Sequence, residues 1–282
     1  MPHPIWQTSR FKLDLSQPKV MAIVNLTPDS FSDGGRNSAM SAALENAQAM
    51  LAQGADILDI GGESSRPGAD PVSVEEELNR ILPFLREALT WNIPISVDTY
   101  KPEVMQAALD LGADIVNDIW TLRQAGALQV VSQHGQCGVC LMHMHRDPQT
   151  MFEQPMVGDV IEPVKAFLSH QVSLLTANGV QSNRIVLDPG VGFGKTVVQN
   201  LSLLHRQNEF LALGLPLMAG WSRKGTLGKI TAIDGQAPAA QDRVGASVAA
   251  ALIALQNGAS VVRVHDVKET VQALRVWQAL KI

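Results

Sequence analysis

The stretch DILDIGGES, residues 56–64, carries the pattern on which the fold turns. An apolar run is broken at Asp59, resumes at Ile60, and leaves through two glycines to Glu63. The same build recurs along the chain. VMAIVN (20–25) closes on Asn25, PISVD (94–98) on Asp98, and DIVND (114–118) on Asn117 and Asp118. CLMHMH (140–145) ends at His143 and His145, and RIVLD (184–188) at Asp188. LMAGWSRK (217–224) runs out to Ser222 and Lys224, and SVVRVH (260–265) to Arg263 and His265. A strand that serves packing alone needs no polar exit. Eight such runs, each followed by a loop and a helical pattern, point to an architecture that gathers their ends: the C-terminal mouth of a (β/α)8 TIM barrel.

The segments between the runs agree. Gly54-Ala55-Asp56, Gly112-Ala113-Asp114 and Gly258-Ala259-Ser260 each follow a helical pattern and open an apolar run. A glycine there ends a helix in the left-handed conformation and releases the chain into a strand. Helix faces are predicted from Leu44, Ala47 and Leu51, and from Val244, Val248, Ala251, Leu252 and Leu255. Strands are expected near 20–25, 56–60, 94–98, 114–118, 138–143, 184–188, 216–221 and 260–265. FKLDLSQPK (11–19) alternates like a hairpin strand and is placed as a cap on the barrel floor. No linker or low-complexity tract divides the chain, so residues 1–282 are read as a single α/β domain. The loops 26–37 and 61–72, rich in glycine, proline and short polar residues, fall at the mouth, where mobile substrate-covering loops belong.

Composition narrows the function. A net charge of -5 offers no basic stripe for nucleic acid, so an anionic substrate has to be met by a few local cations. The longest apolar helical run, ASVAAALIAL, is about half of what a bilayer requires, and no membrane partner is expected. MPHPIWQTSR shows no apolar signal segment, which implies a cytoplasmic protein. Cys137 and Cys140 are spaced C-x-x-C, but no second pair completes a zinc site; they are read as reduced core thiols.

Four features invite chemistry. DPGVGFGKT (188–196) fails the P-loop spacing and the dinucleotide fingerprint, leaving a carboxylate followed by a backbone able to approach something closely. The duller alternative makes Asp188 a helix cap. Lys224 suits a charged hydrogen-bond donor better than a Schiff-base amine, the barrel-aldolase alternative. Arg263 and His265 share a face and suit a phosphate; His143 and His145 are read as hydrogen-bonding or rim residues. Asp59, Asp98, Asn117 and Asp188 together suit a ligand with several N–H donors, such as an amino-substituted heterocycle.

NLTPDSFSDGG (25–35), DIGGESSRPGA (59–69), SVDTYKPEV (96–104), VNDI (116–119), LMHM (141–144), LDPGVGFGK (187–195), SRK (222–224) and RVHDV (263–267) stand in order along the chain. Together they resemble the dihydropteroate synthases of folate biosynthesis, and the resemblance spans nearly the whole chain. It implies condensation of 6-hydroxymethyl-7,8-dihydropterin pyrophosphate with p-aminobenzoate, assisted by magnesium (Mg2+), in a homodimer open to sulfonamide inhibitors. It further implies that Asp98, Lys224, Arg263 and Asn25 carry the chemistry, with Asn25 meeting the metal. Asp59, Asp98, Asn117, Met142, Asp188, Gly192, Phe193 and Lys224 would hold the pterin, and Asn25, Ser65, Arg66, Arg263 and His265 the pyrophosphate. Phe31, Ser65, Arg66, Pro67, Phe193, Ser222 and Lys224 would shape the p-aminobenzoate site. Ser65 stands where threonine is common, Gly225 and Thr226 where serine and phenylalanine are frequent, and His145 and Arg146 where glutamine and glycine are. None of these departures removes a residue assigned to chemistry. A non-catalytic pterin-binding paralogue is the alternative within the family.

Overall fold

The computed structural model describes residues 4–27, 35–64, 70–147, 150–151 and 153–280. Two short strands, β1 (Ile5–Gln7) and β2 (Lys12–Asp14), pair antiparallel with Trp6 opposite Leu13. The chain then enters β3 (Lys19–Asn25), α1 (Gly35–Ala52), β4 (Ile57–Gly61), α2 (Val74–Ala88), β5 (Ile95–Asp98) and α3 (Pro102–Leu111). It continues through β6 (Ile115–Asp118), α4 (Ala127–Gln133), β7 (Gly138–Met142), α5 (Ile161–Ala177), β8 (Ile185–Asp188) and α6 (Val197–His205). It finishes with β9 (Leu217–Ala219), α7 (Gly225–Ile230), α8 (Val244–Gln256), β10 (Ala259–Val264) and α9 (Val267–Ala279). Strands β3 to β10 are parallel and close on themselves, β10 pairing with both β9 and β3. The expected (β/α)8 barrel is the observed fold.

Alternation along each strand sorts its side chains. Leu58, Ile60, Val97 and Val116 face outward into the layer of helices. Met21, Ile57, Ile115, Cys140, Val186, Met218 and Val261 meet inside the barrel at its N-terminal end. One step further along the same inward rows stand Asp59, Asp98, Asn117, Met142, Asp188 and Arg263. The interior is thus apolar at the floor and polar at the mouth.

The hairpin closes that floor. Trp6 is wholly buried against the apolar inward residues, and its Nε1 donates to the Arg184 carbonyl at 2.9 Å. Arg10 grips the buried Asp114 with two bonds, Nε to Oδ1 at 3.1 Å and Nη2 to Oδ2 at 2.6 Å. The first hairpin strand, IWQ, is too short to show alternation in the sequence. Cys137 and Cys140 are free and buried, and burial pushes both thiols up. They are core thiols, and Cys137 Sγ accepts from Arg184 Nη2 at 3.2 Å.

Local signals set the helix ends. Ser73 caps α2 by accepting from Glu76 N, and three glutamates follow in its first turn, where the helix dipole favours them. Gly112 ends α3 at φ 110°, as expected of the repeated glycine junctions, with Gly54 and Gly258 also left-handed. The helix faces are offset from prediction. In α8 the buried residues are Ser247, Ala250, Ala251, Ala254 and Leu255, while Leu252 and Val248 sit at the flank. Small side chains let the helix approach the sheet closely, so the larger ones are displaced to its sides. β9 is also shorter than the expected 216–221, and Trp221 is buried beyond its end.

Candidate active site

A pocket of about 360 Å³ opens at the C-terminal mouth. Ile119, Met142, Val191, Phe193 and Met218 supply apolar walls, and Gly220 keeps one side open. Asp98, Asn117, Asp188, Lys224 and Arg263 supply the polar groups. Seven residues expected to serve substrate therefore line one cavity: Asp98, Asn117, Met142, Asp188, Phe193, Lys224 and Arg263.

Asp188 is not a helix cap, since Thr196 caps α6 in a reciprocal box with Gln199. Asp188 Oδ1 instead accepts from Gly190 N at 2.7 Å, and its Oδ2 has no hydrogen-bond partner among the described residues. Burial raises this carboxyl, while the Gly190 bond and the Lys224 charge oppose the rise. Asp98 is pushed up to about 7, first by burial, with Arg263 opposing and Asp59 adding repulsion. Lys224 lies with Nζ 4.2 Å from the centre of the Phe193 ring. Burial lowers it to about 8, against the attraction of Asp188 and Asp98. The sequence favoured a charged hydrogen-bond donor over a desolvated amine; the structure makes Lys224 partly desolvated and still mostly charged at neutral pH.

Arg263 is engaged by the protein at two of its three guanidinium nitrogens. Its Nε donates to Asp59 Oδ2 at 2.5 Å and its Nη2 to Asp98 Oδ2 at 2.6 Å. Asp59 lies behind the pocket wall, fully buried, and also accepts from Asn117 Nδ2 at 3.0 Å. Ser222 and His265, expected to serve different substrates, meet each other: Ser222 Oγ is 2.9 Å from His265 Nδ1 and accepts from His265 N at 3.1 Å. The turn between Ser222 and Lys224 is held at Arg223, which takes a positive φ of 59° and pairs with Asp266 at 2.5 Å. Asn25 ends β3 beside Gly61. Phe31, Ser65, Arg66 and Pro67 lie outside the described residues.

The glycine loop after β8 approaches protein, not ligand, at two of its three glycines. A Cβ on Gly190 would sit 1.8 Å from the His143 carbonyl oxygen, and one on Gly194 would be 2.6 Å from His145 Cβ. Gly192 turns the other way, beside the Lys224 side chain, and its N–H goes to Asn200 Oδ1 at 2.8 Å. The pin that holds this loop is Lys195, which sequence reasoning left without a role. Its buried Nζ donates to Gly190 O at 2.8 Å and Phe193 O at 3.2 Å, and meets His143 Nδ1 at 2.9 Å. Burial lowers Lys195 to about 7 and His143 to about 2, so His143 accepts this contact as a neutral ring. The one hint in the sequence was a lysine placed directly after three spaced glycines.

Two polar strand ends turn to loop architecture. Asp118 points away from the pocket and accepts from Trp120 N and Leu122 N, each at 2.7 Å. It thereby holds Thr121 and Leu122 at φ 60° and 58°. Glu63 accepts from Tyr100 Oη at 2.9 Å, Val72 N at 3.2 Å and Lys101 Nζ, tying residue 63 to residue 72 across the second mouth loop.

Residues 21–265 match the pterin binding enzyme family. The chain is 48% identical to a dihydropteroate synthase of Neisseria meningitidis, over 100% of this chain and 99% of the relative. The chain belongs to the dihydropteroate synthase family. The family extends to solved structures with the same barrel. A Xanthomonas albilineans dihydropteroate synthase with 4-aminobenzoic acid superposes with a TM-score of 0.92 at 44% identity, covering 99% of this chain and 98% of that one. A Burkholderia cenocepacia dihydropteroate synthase complexed with 7,8-dihydropteroate gives 0.89 at 46% identity, covering 99% and 97%.

Proposed function

We propose that this barrel condenses 6-hydroxymethyl-7,8-dihydropterin pyrophosphate with p-aminobenzoate, giving 7,8-dihydropteroate and pyrophosphate. The observation that carries the reading is the pocket's pattern. Acceptors on Asp98, Asn117 and Asp188 face the cation of Lys224 between apolar walls, which suits a flat heterocycle rich in N–H donors. In this reading Asp188 takes the amino and ring N–H groups through its unengaged oxygen and the outer lone pair of Oδ1. Lys224 donates to the far edge of the ring, and Phe193 stacks near the incoming arylamine.

The reaction breaks the bond between the methylene carbon and the pyrophosphate oxygen, whose electron pair leaves with pyrophosphate. The arylamine nitrogen forms the new C–N bond and then loses a proton to solvent. Positive charge builds on the methylene and ring as the leaving group departs, and the ionised Asp98 stabilises it in place. Arg263 and His265 answer the negative charge on the departing phosphates. Water has to be kept out, because it would capture the carbon in place of the amine.

Magnesium belongs to the same proposal. Asn25 offers one neutral oxygen at a strand end, and among the described residues no group of three His, Cys, Asp or Glu could hold a metal by itself. That donor set suits an ion that keeps several waters and arrives with the substrate's phosphates. Bound there, it would offset charge on the leaving group. The homodimer is also part of this reading. Val198, Leu201, Ile230 and Ile253 are exposed apolar residues on the neighbouring helices α6, α7 and α8. No helix among the described residues is long and apolar enough to cross a membrane.

The test is direct. Purified protein is mixed with the pterin pyrophosphate, p-aminobenzoate and magnesium, and pyrophosphate release is followed. Release well above that of an Asp98→Asn variant is expected, and equal rates would sink the reading. Sulfonamides, which mimic p-aminobenzoate, are expected to compete with it.

A further inference from the structure

We infer that Asp59 is a positioning residue of this site: from behind the pocket wall, one carboxylate sets both the arginine that meets the leaving group and the amide that reads the ring. The inference rests on the condensation reading for the identity of the ligand, but its geometry stands on its own.

Asp59 lies on β4 with no solvent exposure, and it is absent from the pocket lining while its two partners are part of it. Its Oδ2 accepts from Arg263 Nε at 2.5 Å and from Asn117 Nδ2 at 3.0 Å. Both consequences are directional. Arg263 has a planar fork, so a bond at Nε together with the bond from Nη2 to Asp98 at 2.6 Å fixes the plane of the guanidinium. The remaining nitrogen, Nη1, makes no hydrogen bond among the described residues, and its direction is set by the two that do. A lysine could not be aimed in this way.

The amide of Asn117 is fixed by the same oxygen. Its NH2 group faces a carboxylate, and reversing the amide would set oxygen against oxygen. Asn117 Oδ1 is therefore left as an acceptor and selects a ligand edge that presents N–H. A neutral side chain at position 59 would leave the guanidinium with one carboxylate and the amide free to turn over. Asp59 Oδ1 is buried without a partner among the described residues, so direct contact between it and the ligand is the rival reading to be tested.

The two readings separate in a double-mutant cycle. Affinities for the pterin pyrophosphate and for the free pterin alcohol are measured calorimetrically on the wild type, Asp59→Asn, Arg263→Ala and the double variant. If Asp59 acts through Arg263, D59N should lower the preference for pyrophosphate over alcohol by about tenfold. The preference of the double variant should then match that of R263A within about twofold, since residues that act as a unit are not additive, while release of the Asn117 amide weakens both ligands alike. Losses of preference that multiply in the double variant, or D59N losses that are equal for the two ligands, overturn the inference. Should D59N fail to accumulate as folded protein, Asp59→Ser is taken through the same cycle. A ligand-free readout tests the geometry alone. In spectra of 15N-arginine-labelled protein, the Arg263 Nε–H should be protected from exchange in the wild type and lose protection in D59N; persistence in D59N also overturns the inference. Failure of the wild type to bind either pterin would count against the condensation reading and leave this arm standing.

Discussion

Arg263 and Asp98, 165 residues apart in the chain, meet across the barrel mouth with Nη2 2.6 Å from Oδ2. The contact makes Arg263 a counter-ion to the protein before any substrate arrives. Arg263→Ala therefore strands the buried Asp59 and the partly buried Asp98, and breaking such a pair from one side costs about 3 kcal/mol. Asp98→Asn should cost clearly less, because Arg263 keeps Asp59 and a poorly solvated carboxylate is removed. Urea denaturation of the two variants checks the order. If R263A proves as stable as the wild type, the arginine has no structural share.

The same pair sets a pH dependence. Asp98, raised to about 7, has to be ionised to stabilise a cation, so activity climbs as pH rises through that value. Lys224, lowered to about 8, has to be protonated to donate, so activity falls as pH rises beyond it. The expected profile of kcat/KM is a narrow bell with its top between about 7 and 8. Asp98→Asn should erase the acid limb in whatever activity remains, and Lys224→Met the alkaline one.

Lys195 is expected to act at a distance from the chemistry. Lys195→Met takes the shorter donor from the carbonyls of Gly190 and Phe193, which keep only the longer backbone bonds from Phe193 N and His145 N, and loosens the loop that carries Phe193. The arylamine KM should rise by about tenfold, the equivalent of one lost hydrogen bond of about 1.4 kcal/mol, with a smaller effect on the pterin KM. Stability carries a second signature. The folded lysine gives up its proton near pH 7, whereas an unfolded one holds it to about 10.5. Between those values the unfolded chain binds more protons, so raising the pH stabilises the fold. Denaturation at pH 7 and pH 10 should show this gain in the wild type and a smaller one in K195M.

Trp6 belongs to the floor and not to the site. Trp6→Ala opens a cavity against the innermost apolar residues and strands the Arg184 carbonyl, at a cost of about 3–5 kcal/mol. The kcat of the folded variant should stay within about twofold of wild type at low temperature, because the polar rows stand one layer higher. A large fall in kcat without a fall in stability would contradict the division between floor and mouth.

Much of this was legible in the residues. Polar exits on eight apolar runs, glycines at the helix-to-strand junctions and period-two alternation are local properties, and together they determined the barrel and the residues at its mouth. Alternation even says that only one of Asn117 and Asp118 faces inward, since neighbours on a strand point to opposite sides. The motifs then determined the family. Tertiary structure alone decided which ends meet. That Arg263 is shared between Asp59 and Asp98, that Ser222 pairs with His265 and that Lys195 pins the glycine loop to His143 depends on barrel closure and stagger. These set distances between strands that lie dozens to 204 residues apart, and no repeat within a strand encodes them. The depressed lysines and raised carboxyls have the same origin, because desolvation is a property of the closed mouth and not of any single segment.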